Sequence, residues 1–220
     1  MRTKTIIFGI AIFFTLTNVL AKNQKTYSVT KIGTLPGGTY SIPLAINQHS
    51  QVVGKADVTG GSEHGFFWES GVIVDIGILP GGVNSLAFDI NNKGQVIGWT
   101  EMPNRIYRSF VWENGVLQDL GDLGGGSSSS TMAFDINDRG QIVGQSPNSE
   151  LTMHGFLWKK GWMIDLGTLA DNNGGSDSAA NGINEKGQII GVSVSPMDGQ
   201  DHPFLWERGV MQDLGVLQGY

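Results

Sequence analysis

The chain has 220 residues, a net charge of −6 and no cysteine. An acidic balance without a basic stripe argues against nucleic acid and anionic membrane surfaces as partners. The missing cysteines exclude a disulfide-stapled scaffold and a lipoprotein anchor.

The chain opens on a basic stretch, Met1-Arg2-Thr3-Lys4. An almost wholly apolar run follows from Ile6 to Leu16, and the stretch closes on Val19-Leu20-Ala21. These are the three parts of a secretory signal peptide, and the run is short of the ~20 residues that a membrane span takes. The expectation is a signal peptide over 1–21 and a single repeat domain over 22–220, secreted or periplasmic. Loss of Arg2 and Lys4 leaves that domain at −8.

From there the chain repeats itself. Ile-Asn recurs with its Asn at 47, 91, 137 and 184, and tryptophan follows at 68, 112, 158 and 206. Asp-(Ile/Leu)-Gly comes next, with its Asp at 75, 119, 165 and 213. Successive tryptophans are 44, 46 and 48 residues apart. Each unit holds four short apolar runs, in the second unit Ala87–Ile90, Gln95–Ile97, Ser109–Trp112 and Val116–Leu120. Runs this short, rich in Val, Ile, Phe and Trp and punctuated by Gly and Asn, are strands. Asn91-Asn92-Lys93-Gly94 and Glu113-Asn114-Gly115 both look like type I turns closed by a glycine at positive φ. A unit is therefore a four-stranded antiparallel meander. The first unit has Ser50 where the others have Gly94, Gly140 and Gly187, so its hairpin is expected to be loose or of another type.

The spacings divide the unit in two. From the Asn of Ile-Asn to the glycine ending the second strand is seven residues in every unit, and so is the step from Trp to Asp. Length changes only in the second-to-third and fourth-to-first connections. Connections of a meander alternate ends, so both variable ones lie on one face and both constant hairpins on the other. A meander of ~45 residues is the size of a propeller blade. The fold expected is all-β, a β-propeller-like array of about four four-stranded antiparallel blades. A β-solenoid or open stack is the alternative, but solenoid coils are shorter and lack two constant hairpins.

Asp119-Leu120-Gly121, Asp89-Ile90-Asn91 with Gly94-Gln95-Val96-Ile97-Gly98, and His154-Gly155-Phe156-Leu157-Trp158 together resemble the bacterial HAF-type extracellular repeat. Gly, Ser or Pro stands where that motif has its Ala, and Arg108 replaces one His. The resemblance spans nearly the whole of 22–220 and implies an exported, propeller-like repeat protein. It implies no chemistry.

Candidate chemical groups have structural explanations. If Trp68 faces Val72, then His64 falls beside Asp75, and Arg108, His154 and His202 fall beside Asp119, Asp165 and Asp213. Arg keeps such a contact but replaces neither a histidine base nor a metal ligand, so these are cross-strand pairs. Asp89–Gly94 and Asp135–Gly140 have a basic residue at the fifth position, where a calcium loop needs an oxygen. Gly124-Gly125-Gly126 lacks a P-loop lysine, and Ser127–Ser130 lacks a nucleophile elbow. No catalytic residue, metal ligand or cofactor is expected. His49 is expected in a solvated turn and the repeat tryptophans in the core. Trp99, Arg105, Tyr107 and Arg108 cluster around the variable connection of the second unit and are the candidate binding residues, set against partial burial of the aromatics between blades.

The reading is a binding module for a protein or glycan acting through the variable face. Its rivals are a structural spacer or remnant of a longer repeat protein, and an enzyme with a central pocket. Val29–Leu35 matches the fourth-strand motif with Lys31 for Asp, and Met211–Leu217 matches it again. That makes five fourth-type strands against four of each other kind. The expectation is an open arc, or self-association through an unpaired edge strand.

Overall fold

The computed structural model describes residues 28–126, 129–170 and 176–216. The chain divides into two compact units, Met1–Lys31 and Ile32–Tyr220. The signal peptide expected over 1–21 and the last motif residues, 217–220, lie outside the described residues. The sixteen strands found among the described residues lie in the second unit. Among the described residues, no helix is long and apolar enough to cross a membrane.

The strands form four separate antiparallel sheets, each from consecutive strands in the order expected of a meander. The first blade holds β1 (Ser41–Ile46), β2 (Val52–Asp57), β3 (Glu63–Glu69) and β4 (Val72–Gly77). The second holds β5 (Asn84–Ile90), β6 (Val96–Glu101), β7 (Tyr107–Glu113) and β8 (Val116–Asp119). The third holds β9 (Met132–Ile136), β10 (Ile142–Pro147), β11 (Met153–Lys159) and β12 (Trp162–Asp165). The fourth holds β13 (Ser178–Ile183), β14 (Ile189–Val194), β15 (Asp201–Glu207) and β16 (Val210–Asp213). This is the propeller-like array, and four distinct blades replace the solenoid alternative.

Blades stack through the repeat's own apolar residues. Val53, Ile76 and Leu79 of the first unit pack on Ala87, Ile90, Phe110 and Trp112 of the second. Ile97, Val111 and Leu120 repeat that contact against Ala133, Ile136, Phe156 and Trp158. Val143, Leu157 and Leu166 repeat it against Ala180, Ile183, Phe204 and Trp206. Each cluster buries side chains that a lone meander leaves in water, at about 25 cal/mol per Å² of apolar surface. Trp68, Trp112 and Trp158 are buried as expected, while Trp206 in the last blade is only partly covered.

Every first strand carries a bulge at the same place, skipping Leu44, Phe88, Phe134 and Asn181. The bulge explains the glycine that ends the second-strand motif. A Cβ on Gly54, Gly98, Gly144 or Gly191 would stand 2.0 Å from a carbonyl oxygen of the bulged strand.

The first constant turn has the expected form. Gly94, Gly140 and Gly187 have φ of 78°, 69° and 82°. The first unit departs from expectation: it keeps the same turn, with Ser50 N donating to Asn47 O as Gly94 N does to Asn91 O. Ser50 is held at φ 61° to do so. The second constant turn is a correction. Ser70, Asn114, Lys160 and Arg208 have φ between 49° and 53°, and the following glycines between 85° and 91°. Two successive positive φ values make it a two-residue type I′ turn, whose twist matches the flanking strands. Trp68 therefore faces Ile73, with Glu69 facing Val72.

Val29–Leu35 is not a fifth strand, which corrects the count of fourth-type strands. Among the described residues it pairs with no strand. Ile32 and Leu35 instead pack on Val52, Phe66 and Trp68 of the first blade, as Ile76 and Leu79 pack on the second.

Candidate functional site

Within each blade the consecutive antiparallel strand order puts the two constant hairpins at one end and the second-to-third connection at the other. On the constant side the Ile-Asn asparagines form a ladder through the blades. Asn47 Nδ2 donates to Asn91 O at 2.9 Å, Asn91 Nδ2 to Asn137 O at 2.9 Å, and Asn137 Nδ2 to Asn184 O at 3.0 Å. The next residues form a second rung: Gln48 N donates to Asn92 Oδ1, Asn92 N to Asp138 Oδ1, and Asp138 N to Glu185 Oε1. Beside this ladder, two bulged strands place carboxylates between blades. Asp135 accepts from Ile136 N at 2.8 Å and, across the interface, from Ile183 N at 2.7 Å. Asp89 accepts from Ile90 N at 2.8 Å, with Asp135 of the next blade nearby. Burial, with Asp135 nearby, pushes the Asp89 carboxyl up to about 6.

The expected cross-strand pairs form. His64 Nδ1 meets Asp75 at 2.9 Å, Arg108 meets Asp119 at 2.6 Å, and His154 and His202 meet Asp165 and Asp213 at 2.9 Å. The contact is diagonal, because Asp75 stands opposite Phe66, two residues from His64. His202 is also held by Asp198, and Asp213 and Asp198 together raise its pKa. His49 is exposed.

On the variable side, Trp99 and Tyr107 lie inside β6 and β7, on either side of the 102–106 turn. Their rings meet edge to face, centroids 4.7 Å apart at 72°. Both are half-buried, and the main chain of Tyr107 is tied to the next unit by bonds to Ser130 Oγ and from Thr131 N. Arg105 is exposed at the tip of the turn, at φ 62°. Trp99 and Tyr107 are in contact and Arg105 stands at the tip of the turn between their strands, while the Arg108 guanidinium is paired with Asp119.

The aromatic pair occupies a position that recurs in every blade with different chemistry. Lys55 and Glu63 stand there in the first unit as an ion pair at 2.8 Å, with the Tyr40 hydroxyl donating to the same carboxylate. Lys55 and Tyr40 hold the Glu63 carboxyl below the usual range. Gln145 and Met153 stand there in the third unit, and Val192 and Asp201 in the fourth. Between those two blades, these four residues with Asp177 and Ala179 line an open cleft of about 260 Å³. The sequence carries a sign of this set that isolated aromatics do not reveal. Each pair is the residue after the strand-ending glycine and the residue before the His or Arg of the third strand, variable positions inside a constant frame.

An array of four propeller blades with one constant and one variable side is what this arrangement defines. Among solved structures the chain is similar to the β-propeller domain of the Trilobed protease from Pyrococcus furiosus, described as having an open velcro topology. The TM-score is 0.53 at 9% sequence identity, over 82% of this chain and 56% of that one. The likeness is one of fold, and the chain spans little more than half of that neighbour's length. No protein-family model and no curated protein matches the sequence.

Proposed function

We propose that the chain is an exported interaction module of the HAF-type repeat kind, taking a protein partner on its variable side. The observation that carries this reading is the recurring pair position. A frame kept constant by packing presents, blade by blade, an ion pair, an aromatic pair, an amide with a thioether, and an apolar residue with an acid. Trp, Tyr and Arg are the residues most enriched at protein-interface hot spots, and Trp99, Tyr107 and Arg105 supply all three within one blade. Shallow, open relief suits a protein surface better than a small metabolite, which takes a concave, mostly enclosed site. The basic and apolar opening supports export.

The test compares the wild-type protein with Trp99→Ala, Tyr107→Ala and Arg105→Ala on immobilised envelope and extracellular proteins and on a glycan array. A control variant, Lys93→Ala, changes an exposed residue of the constant side. Saturable protein binding that the three variable-side changes weaken at least tenfold, and the control does not, is the expected result. Binding confined to glycans, or equally lost in the control, overturns the reading.

A further inference from the structure

The three internal interfaces are copies of one joint, and among the described residues the first and fourth blades each present an unmatched half of it. Ile90 and Ile136, which enter the joint from the following blade, are each 6% exposed, whereas the matching Ile46 of the first blade is 66% exposed. Val53, Ile97 and Val143, which meet them from the preceding blade, are 0% exposed, whereas the matching Ile190 is 55% exposed. Leu120 and Leu166 are buried and the matching Leu214 is 53% exposed. Among the described residues, the hydrophobic clusters and hydrogen bonds join the first blade to the second, second to third and third to fourth, and none joins the fourth to the first.

The polar groups at these ends are complementary as well. In each internal joint the preceding asparagine donates its side-chain amide to the following asparagine's carbonyl. Asn184, exposed in the last blade, carries that donor; Asn47 in the first blade carries that acceptor. Glu185 N and the Gln48 side chain are the corresponding second pair. Beside Asn184, an open depression of about 420 Å³ is lined by Asp135, Ile183, Ile190 and Leu205. It lies where a following first strand sits in the other joints.

We propose that these ends bind each other between two copies of this chain, the fourth blade of one seating on the first blade of the other. Ile46 and Pro43 enter against Ile190 and Leu205, Asn184 Nδ2 donates to the partner's Asn47 carbonyl, and Glu185 N donates to the partner's Gln48 side chain. Ile32 and Leu35 already cover Val52, Phe66 and Trp68 of the first blade, so the new joint is formed by β1 and leaves Leu214 outside. The contact is heterologous, a different surface on each copy. Two such joints in one pair of chains close a ring of eight blades, within the range that propellers use.

The heterologous character provides the test. Ile46→Glu and Ile190→Glu alter opposite halves at positions already exposed, so each variant keeps the melting curve of a folded chain. In sedimentation, the wild-type protein associates as concentration rises, and each variant alone is monomeric. An equimolar mixture of the two recovers association and stops at two chains, because one intact joint remains possible. The chain has no native cysteine, so Gln48→Cys and Glu185→Cys copies, mixed under oxidising conditions, cross-link one to the other and not each to itself. A wild-type protein that stays monomeric at every attainable concentration overturns the proposal. So does association that survives either variant, as edge-strand pairing would, or a mixture that recovers nothing.

Discussion

The Asn91 side chain ties its own turn to the neighbouring blade. Its Nδ2 donates to Gln95 Oε1 at 2.7 Å and to the Asn137 carbonyl at 2.9 Å, while its Oδ1 accepts from Lys93 N and Gln95 N. The residue is buried, so truncation leaves those partners without water to replace it. Asn91→Ala is expected to cost roughly 2–4 kcal/mol. Asn184 makes the same bonds within its turn, but it is exposed and, among the described residues, donates to no neighbouring blade. Asn184→Ala is expected to cost about 1 kcal/mol. Urea denaturation midpoints of the two variants check the difference, and equal losses would mean that the ladder adds nothing between blades.

Ser50 occupies a turn built for glycine. A left-handed conformation costs an L-residue about 1–2 kcal/mol, and glycine gives back part of that relief through its freer unfolded chain. Ser50→Gly should stabilise the protein by roughly 0.5–1 kcal/mol. Gly94→Ser, the reverse change one blade on, should destabilise it. Thermal melts of both variants read the two signs.

Asp89 predicts a pH dependence with a definite sign. Its folded pKa of about 6 lies above its ordinary 3.8, so the folded chain holds this proton more tightly than the unfolded one. The stability it contributes is full below about pH 3.8 and falls as pH rises to about 6. Asp89→Asn keeps an oxygen for Ile90 N and removes the ionisation. At pH 7 it should be more stable than wild type by roughly 1–2 kcal/mol, an amount discounted for the partial exposure of the carboxyl. The gain should vanish near pH 4. Asp57, Glu63 and Asp138 have lowered pKa values and pull the opposite way. The measurement is therefore the difference between variant and wild type across pH, and a difference that does not change between pH 4 and 7 would contradict the assignment.

The spacing of Asn47, Asn91, Asn137 and Asn184 against the four tryptophans was enough to read the blade, its four strands and its two unlike sides. Those features follow from local rules: alternation in short apolar runs, turn residues at set positions, and the requirement that a meander's connections alternate ends. The diagonal contact of His64 with Asp75 was legible for the same reason, although its register depended on a turn type. Type I′ was not legible from Ser70, Lys160 or Arg208, none of which favours positive φ; the twist of the paired strands imposes it. The same register placed Arg108 beside Asp119, and that ion pair forms, whereas the exposure of Arg105 at a turn tip depends on how the fold presents the loop. The largest difference is at the ends of the array. Ile46, Ile90 and Ile136 are the same residue in the same motif, yet one faces water and two are buried. Burial is a property of the neighbour that stacking provides, and for the first and last blades only the tertiary structure decides whether that neighbour exists.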